Sequence, residues 1–294
     1  MACFVCLIAD PARAPLEPSA VADLGRALRG TGRWLAAEEA CEILVEGAAR
    51  PDILARLPGV LPDPSCDIAV LPAQRRRKRL LVSDMDSTMI TVECIDELAD
   101  YLGVKPEVSA ITRRAMNGEL DFVAALQARV ALLEGLSVDV FDEVFRERVR
   151  LMAGARELVR TMRAWGARTA LVSGGFVPFA ERVRAAVGFD LAQANRLETL
   201  NGRLTGRLLG PVRSPQSKLA LLRQLTRVLR LQAADTLAVG DGANDLPMLE
   251  AAGLGVAFRP SAAVAASARF SVGWGDLTAL LYLQGVAKSD FVAG

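Results

Sequence analysis

A chain of 294 residues, 52% hydrophobic and 23% charged, is long enough for one large or two unequal domains around a substantial core. Its net charge of +1 sets up no global field toward nucleic acid or membrane, and no run reaches the ~18 apolar residues of a bilayer span. Histidine is absent, which excludes a Ser-His-Asp triad, a histidine-rich zinc site and a phosphohistidine intermediate. Any reaction must therefore run on carboxylates, lysine, thiols or a metal.

Residues 1–74 read as a small α+β unit. Strands are expected over 4–9, 40–45 and 67–71, an amphipathic helix over 19–28 and a short helix over 51–57. Prolines at 58, 62, 64 and 72 break the region up. The N-terminus has no basic segment leading into a long apolar core, so no signal peptide is expected. Cysteines 3, 6, 41, 66 and 94 are odd in number and irregularly spaced, and the C-x-x-C at Cys3 lies in an apolar, strand-like run. They predict no disulfide framework and a reduced, cytoplasmic setting. The basic run over 75–79 reads as a solvated hinge.

An apolar run then ends in Ser83-Asp84-Met85-Asp86-Ser87-Thr88. If the run is a buried parallel strand, Asp84 and Asp86 leave its carboxyl end, where open α/β sheets hold ligands. Two acids without a base bind an anion poorly unless a cation joins them, and hard oxygen ligands suit Mg²⁺. Helical periodicity takes over from 94 to about 151, with Ile95, Leu98, Ala99 and Leu102, then Phe122, Ala125, Leu126, Val130 and Leu133. This block, taken as 93–153, interrupts the α/β alternation and reads as an inserted cap over the sheet edge. The core comprises 80–92 and 154–294.

Alternation resumes at Gly154. A helix over 155–165 leads to a strand over 169–172 that ends in Ser173-Gly174-Gly175, where backbone N–H groups can approach an anion. Asn201-Gly202 centres a hairpin. Lys218 opens a helical stretch to about 231. A strand over 235–239 ends in Gly240-Asp241-Gly242-Ala243-Asn244-Asp245, followed by a helix with Pro247 in its first turn. Short strands over 255–258 and 270–272 follow. Three strand ends thus offer an acid pair, a hydroxyl with glycines, and an acid-amide-acid set. Those four acids would repel one another unless a metal neutralised them.

These residues resemble the haloacid dehalogenase superfamily of phosphohydrolases. Asp84-Met85-Asp86-Ser87-Thr88, Ser173-Gly174-Gly175, Lys218 and Gly240-Asp241-Gly242-Ala243-Asn244-Asp245 match its four motifs in order. Within it the chain is most similar to the phosphoserine phosphatase family. The likeness extends through Glu93-Cys94-Ile95-Asp96-Glu97-Leu98-Ala99, Thr112-Arg113-Arg114-Ala115-Met116-Asn117-Gly118, Phe122, Arg129-Val130 and Ala194-Asn195-Arg196-Leu197. It covers about 80–285, while the first 74 residues match only loosely a degenerate ACT-like domain.

The resemblance implies an α/β fold with a HAD-like Rossmannoid parallel sheet, a helical cap and a small α+β N-terminal domain. It implies Mg²⁺-dependent hydrolysis of phosphoserine, with Asp84 as nucleophile and Asp86 as general acid and base. Mg²⁺ would be held by Asp84, the Asp86 carbonyl, Asp241 and Asp245. Ser173, the Gly174 N–H and Lys218 would hold the phosphoryl oxygens, with Asn244 among the substrate-binding residues. Glu93 would meet the ammonium and Arg129 the carboxylate, with Met116 and Phe122 as apolar walls. The expected partner is a small molecule, not nucleic acid or membrane, and a homodimer is the candidate assembly. Two other readings stay open: the same fold acting on another small phosphomonoester such as phosphothreonine or transferring phosphate, and a non-catalytic amino-acid sensor.

Overall fold

The computed structural model describes residues 2–10, 12–57, 66–116 and 119–293, with the Met116 side chain outside that description. The expected proline breaks at 58, 62 and 64, and Asn117-Gly118, also lie outside the described residues. Strands β1 (Ala2–Ala9), β2 (Thr31–Ala36), β3 (Ala40–Glu46) and β4 (Cys66–Pro72) form an antiparallel sheet in the order β2-β3-β1-β4. Helices α1 (Pro18–Leu28) and α2 (Arg50–Arg56) pack Val21, Leu24 and Ile53 on one face, against Val5, Leu7 and Ile43. Alternation sends Cys6, Ile8 and Leu71 to the opposite face, which joins the main core. Both faces are therefore covered. Cys3 and Cys6, an odd spacing apart on one strand, lie in separate cores and cannot share a ligand. Strand β2 is an edge strand with only Leu35 buried, so it carries little of the apolar alternation that marks the others.

The second sheet has the order β11-β10-β9-β5-β6-β7-β8. Its strands are β5 (Leu80–Ser83), β6 (Arg168–Phe176), β7 (Leu191–Leu200), β8 (Arg203–Leu209), β9 (Thr236–Gly240), β10 (Leu254–Phe258) and β11 (Ser271–Val272). All pairs are parallel except β7–β8, an antiparallel hairpin. Its turn is Asn201-Gly202, both with positive φ (50° and 76°), as a two-residue hairpin of this twist requires. The central strand β5 is wholly buried, with Leu81 in one core and Leu80 and Val82 in the other.

Among the described residues four helices follow β5 in sequence before the sheet resumes: α3 (Cys94–Tyr101), α4 (Lys105–Met116), α5 (Phe122–Ala131) and α6 (Val140–Glu147). They enter and leave along two crossing segments, joined where Thr91 N–H donates to the Arg150 carbonyl (3.0 Å) and Met152 N–H to the Met89 carbonyl (2.9 Å). Helices α7 (Ala155–Ala164), α8 (Val177–Val187), α9 (Pro215–Val228), α10 (Leu246–Ala251), α11 (Ala262–Ser267) and α12 (Ala279–Tyr282) complete the layers. This is the expected HAD-like α/β fold with a helical insertion and a small α+β unit ahead of it.

The basic run is only partly solvated: Arg75, Arg77 and Arg79 are exposed, but Arg76 and Lys78 turn inward. The Arg76 guanidinium pairs with buried Glu42 of β3, stacks 4.3 Å over the Phe4 ring and donates to the Leu283 carbonyl at 3.1 Å. Buried Lys78 donates to the carbonyls of Arg75 (2.7 Å) and Ala234 (2.8 Å), and burial pushes its pKa down to about 8. A dense run of charge reads as solvated because sequence does not show the carbonyls and the acid waiting for it. Asp67 of β4 forms a second fastening between the sheets, accepting N–H bonds from Gly273 (2.7 Å), Trp274 (3.0 Å) and Gly275 (3.0 Å). Asp67→Ala should lower the unfolding free energy by about 1–3 kcal/mol in a urea titration, because three N–H donors lose their acceptor. Asp23→Ala, on the exposed side of α1, serves as control and should change it by less than about 0.5 kcal/mol. Equal midpoints for the two variants would show that Asp67 does not fasten the sheets.

Candidate active site

Asp84 follows the last residue of β5, and its N–H still donates to the Val239 carbonyl at 2.9 Å. Its side chain therefore leaves the carboxyl edge of the sheet from the central strand, between β9 and β6, where the strand order reverses. The next residues close one tight turn, in which the Met85 carbonyl accepts from the N–H of Thr88 (3.3 Å), Met89 (2.8 Å) and Ile90 (3.1 Å). Within it Ser87 adopts a left-handed φ of 54°, and its hydroxyl donates to Glu93 Oε1 at 2.7 Å. The turn swings Asp86 back under the cap. There Oδ1 accepts the N–H of Cys94, the first residue of α3, and Oδ2 accepts the Ser173 hydroxyl, both at 3.2 Å.

The second strand end departs from the expected boundary. Strand β6 continues through Ser173-Gly174-Gly175 to Phe176, and its pairing with β7 shifts between Val172 and Phe176. Ser173 Oγ accepts the Gly175 N–H at 2.7 Å while donating to Asp86. A Cβ on Gly175 would lie 2.7 Å from Asp86 Oδ2, so glycine is what lets strand and acid approach so closely.

At the third strand end Thr88 Oγ1 donates to Asp241 Oδ1 at 2.9 Å. Fully buried Asp245 accepts the Lys218 ammonium at 2.7 Å through Oδ1 and the Gly242 N–H at 3.2 Å through Oδ2. Lys218 sits in the first turn of α9, is also buried, and lies 2.8 Å from Asp84 Oδ1. A cavity of about 130 Å³ opens over these strand ends. Asp84, Asp86, Asp241 and Asn244 form its floor and Ser173 and Gly174 one side. Glu93, Phe122 and Arg129 face it from the cap. Among the described residues Arg129 forms no ion pair, and its Nε donates only within α5, to the Ala125 carbonyl at 3.3 Å.

The structure thus brings together all the residues singled out from the sequence whose side chains it describes. Lys218 and Asp245 lie beneath the cavity and do not line it, while the Met116 side chain lies outside the described residues. Ile95, Leu126, Gly175 and Phe176 also line it. Helical periodicity had marked Ile95 and Leu126 as inward-facing, which is the signal that could have found them. Thr88, which holds Asp241, stood inside a motif without a role.

Crowding sets the electrostatics. Burial pushes the Asp86 carboxyl up to about 6, helped by the Asp84 charge and opposed by hydrogen bonds from Cys94 and Ser173. Burial and the Asp86 charge raise Glu93, at the cavity mouth, to about 8. Burial and the Asp84 charge raise Asp245 to about 7 despite Lys218. For Lys218 burial favours the neutral amine, but the charges of Asp84 and Asp245 overcome it and hold its pKa above the usual lysine value. Asp84, Asp241 and Asp245 each offer a carboxylate oxygen, all within 4.8 Å of one another. One ammonium does not neutralise this group, and an all-oxygen donor set of that size fits a hard divalent cation. The Asp86 carboxylate is not among those three, being turned toward Ser173 and Cys94.

These shifts fix a sign. Carboxyls whose pKa is raised by folding bind more protons in the folded than in the unfolded chain between about pH 4 and 8, so stability falls as pH rises through that window. Without divalent cations the melting temperature should therefore drop from pH 5 to pH 8. Added Mg²⁺ should restore more of it at pH 8 than at pH 5. A metal-free protein that grows more stable over this range would contradict the electrostatics described.

An acid pair on the central strand, a hydroxyl-glycine strand end and a buried lysine bracing further acids thus meet at one edge of the sheet. The chain belongs to the haloacid dehalogenase-like hydrolase family, whose sequence profile matches residues 81–250. Its likeness is to phosphoserine phosphatases in particular. It is 45% identical over 229 residues to the phosphoserine phosphatase of Streptomyces coelicolor, covering 77% of this chain and 56% of that protein's length. The unliganded structure of a probable phosphoserine phosphatase from Vibrio cholerae superposes with a TM-score of 0.77 at 33% identity, covering 98% of this chain and 88% of that one. Two further phosphoserine phosphatase structures, a phospho-aspartyl intermediate analogue and a substrate complex, each give 0.65 at 36% identity over 70% of this chain. They cover 98% and 97% of those chains respectively.

Proposed function

We propose that this protein hydrolyses O-phospho-L-serine to L-serine and phosphate through a phosphorylated Asp84. The observation that carries this reading is the pairing of two unlike walls around one cavity. Below lie the acids and the Ser173–Gly174 strand end. Above, the cap presents the Glu93 carboxyl and the Arg129 guanidinium, which forms no ion pair among the described residues. A ligand with a phosphate, an ammonium and a carboxylate satisfies all of these at once. The substrate-bound and phospho-aspartyl structures of similar proteins support the same reading.

In the proposed reaction a carboxylate oxygen of Asp84 attacks phosphorus in line. The new oxygen–phosphorus bond forms as the bond to the seryl oxygen breaks, and the Asp86 carboxyl gives that oxygen its proton. The raised pKa of Asp86 suits a group that must be protonated at this moment. Asp86, now ionised, takes a proton from the water that attacks the phosphoryl group, and Asp84 is regenerated. Lys218 braces Asp84 from behind through Oδ1, the oxygen it touches. Ser173 and Gly174 bind the phosphoryl oxygens. Mg²⁺, held by Asp84, Asp241, Asp245 and the Asp86 carbonyl, would neutralise the acids and stabilise charge on the phosphoryl oxygens.

Phosphate release from L-phosphoserine, measured with and without Mg²⁺, tests the activity, with phosphothreonine alongside as rival substrate. A bound ammonium favours the ionised form of Glu93, so both cap contacts join an ion to an ion, worth about 1.5–3 kcal/mol each, or roughly 10- to 150-fold in kcat/KM. Glu93→Gln and Arg129→Ala should each depress phosphoserine hydrolysis by that range and barely touch p-nitrophenyl phosphate, which has neither group. Arg129→Lys should rescue little, because an ammonium lacks the planar fork. If Arg129→Ala lowers both substrates equally, the arginine serves the cap or the phosphate and the assignment loses its support.

A further inference from the structure

We propose that Asn195 is a positioning residue, which pins the Gly174–Gly175 peptide at the phosphoryl end of the cavity and ties it to the segment leading to Lys218. The proposal rests on the phosphoryl-binding reading above and gives it a part that no motif assigned. Asn195 lies within β7 and is 3% exposed. Its Nδ2 donates to the Gly174 carbonyl at 2.7 Å, and its Oδ1 accepts the Arg213 N–H at 2.7 Å. One partner is a carbonyl and the other an N–H, so they dictate which end of the carboxamide faces which.

The need for this clamp follows from the backbone. The β6–β7 ladder is interrupted between Val172 and Phe176, which pairs with Asn195 itself. In that gap the Asn195 side chain supplies the Gly174 carbonyl with a donor. Two adjacent glycines also have the widest choice of backbone angles, so their shape must be imposed from outside. It is imposed at both ends of one peptide: the Gly174 carbonyl is held by Asn195, and the Gly175 N–H by Ser173 Oγ at 2.7 Å. Ser173 in turn donates to Asp86.

The other end of the amide reaches the next motif. Arg213 immediately precedes Ser214, the N-cap of α9, and Lys218 stands in the first turn of that helix. A single buried carboxamide therefore sets the strand end that borders the phosphoryl pocket against the helix that braces Asp84. No other uncharged side chain of this size offers one donor and one acceptor in opposed directions. Ionised aspartate matches its shape but has no proton to give the Gly174 carbonyl, so the aspartate variant is compared above the pH at which its carboxyl ionises.

The test uses the full-length wild type, Asn195→Ala and Asn195→Asp in buffer with Mg²⁺, with binding of inorganic phosphate and of L-serine measured by calorimetry. Leaving a buried polar group unpaired should weaken phosphate by about tenfold or more in both variants. L-serine, which lacks the phosphoryl group, should keep its affinity within about twofold, as for a site away from the change. A loss of both ligands in equal proportion, or unchanged phosphate affinity in either folded variant, overturns the proposal. Asn195→Asp retains the Arg213 bond and decides the matter if the alanine variant does not fold. Failure of both to fold would make Asn195 a folding residue and equally end the proposal. Wild-type protein that binds phosphate but not L-serine would count against the phosphoserine reading alone, and the phosphate arm would still decide for Asn195.

Discussion

A single buried ammonium makes the active edge of the sheet possible. Lys218 lies within 2.8 Å of Asp84 and 2.7 Å of Asp245, all three out of solvent. An isolated lysine or aspartate at such depth would give up its charge to avoid the cost of desolvation. The two carboxyls hold Lys218 charged, and removing them would leave its ammonium buried without a counter-charge. The balance is deliberately incomplete, since Asp86 and Asp241 add acids that Lys218 does not reach. Asp84, Asp241 and Asp245 could together hold a divalent cation, which would offset that surplus negative charge.

The fold serves this arrangement by making three strand ends meet. Parallel pairing of β9, β5 and β6 brings Asp84, the Ser173–Gly174 corner and the residues after Gly240 to one edge. Buried side chains on both faces leave those ends little freedom. Helices α3 to α6 are inserted only a few residues after Asp86, so the turn that aims Asp86 and Glu93 is also the root of the cap. The N-terminal sheet is held to the rest by Arg76 and Asp67. The Asp67 fastening touches the 273–275 loop, and two residues further on Leu277 N–H donates to the Ala153 carbonyl at the exit of the cap (3.1 Å). This makes the small domain part of the frame around the cap's root.

What could be read from residue order was whatever depends on neighbours in sequence. The buried strands, the Asn201-Gly202 hairpin and the helical insertion each follow from local periodicity or turn chemistry. The motif acids stood at strand ends for the same reason, so their meeting at one edge followed once the sheet was taken as parallel. What escaped depends on distant partners. The run over 75–79 looked solvated because Glu42 and the carbonyls of Ala234 and Leu283 come from other elements. Strand β6 ran past its expected end because Asn195, on another strand, holds the glycine segment extended. Lys218 was singled out by resemblance, and its simultaneous contact with Asp84 and Asp245 is a matter of depth that spacing cannot encode. Edge strand β2 buries too little to announce itself.

The central claim is that a phosphoryl group passes through Asp84, and it can be tested on the side chain itself. Wild-type protein is mixed with L-phosphoserine and Mg²⁺, quenched in acid during turnover, and reduced with borohydride, which converts an acyl phosphate to the alcohol. Peptide mass spectrometry should then find homoserine at position 84 and unmodified aspartate at 86, 241 and 245. Homoserine at another position, or steady turnover by Asp84→Asn with no modified residue, would contradict the account.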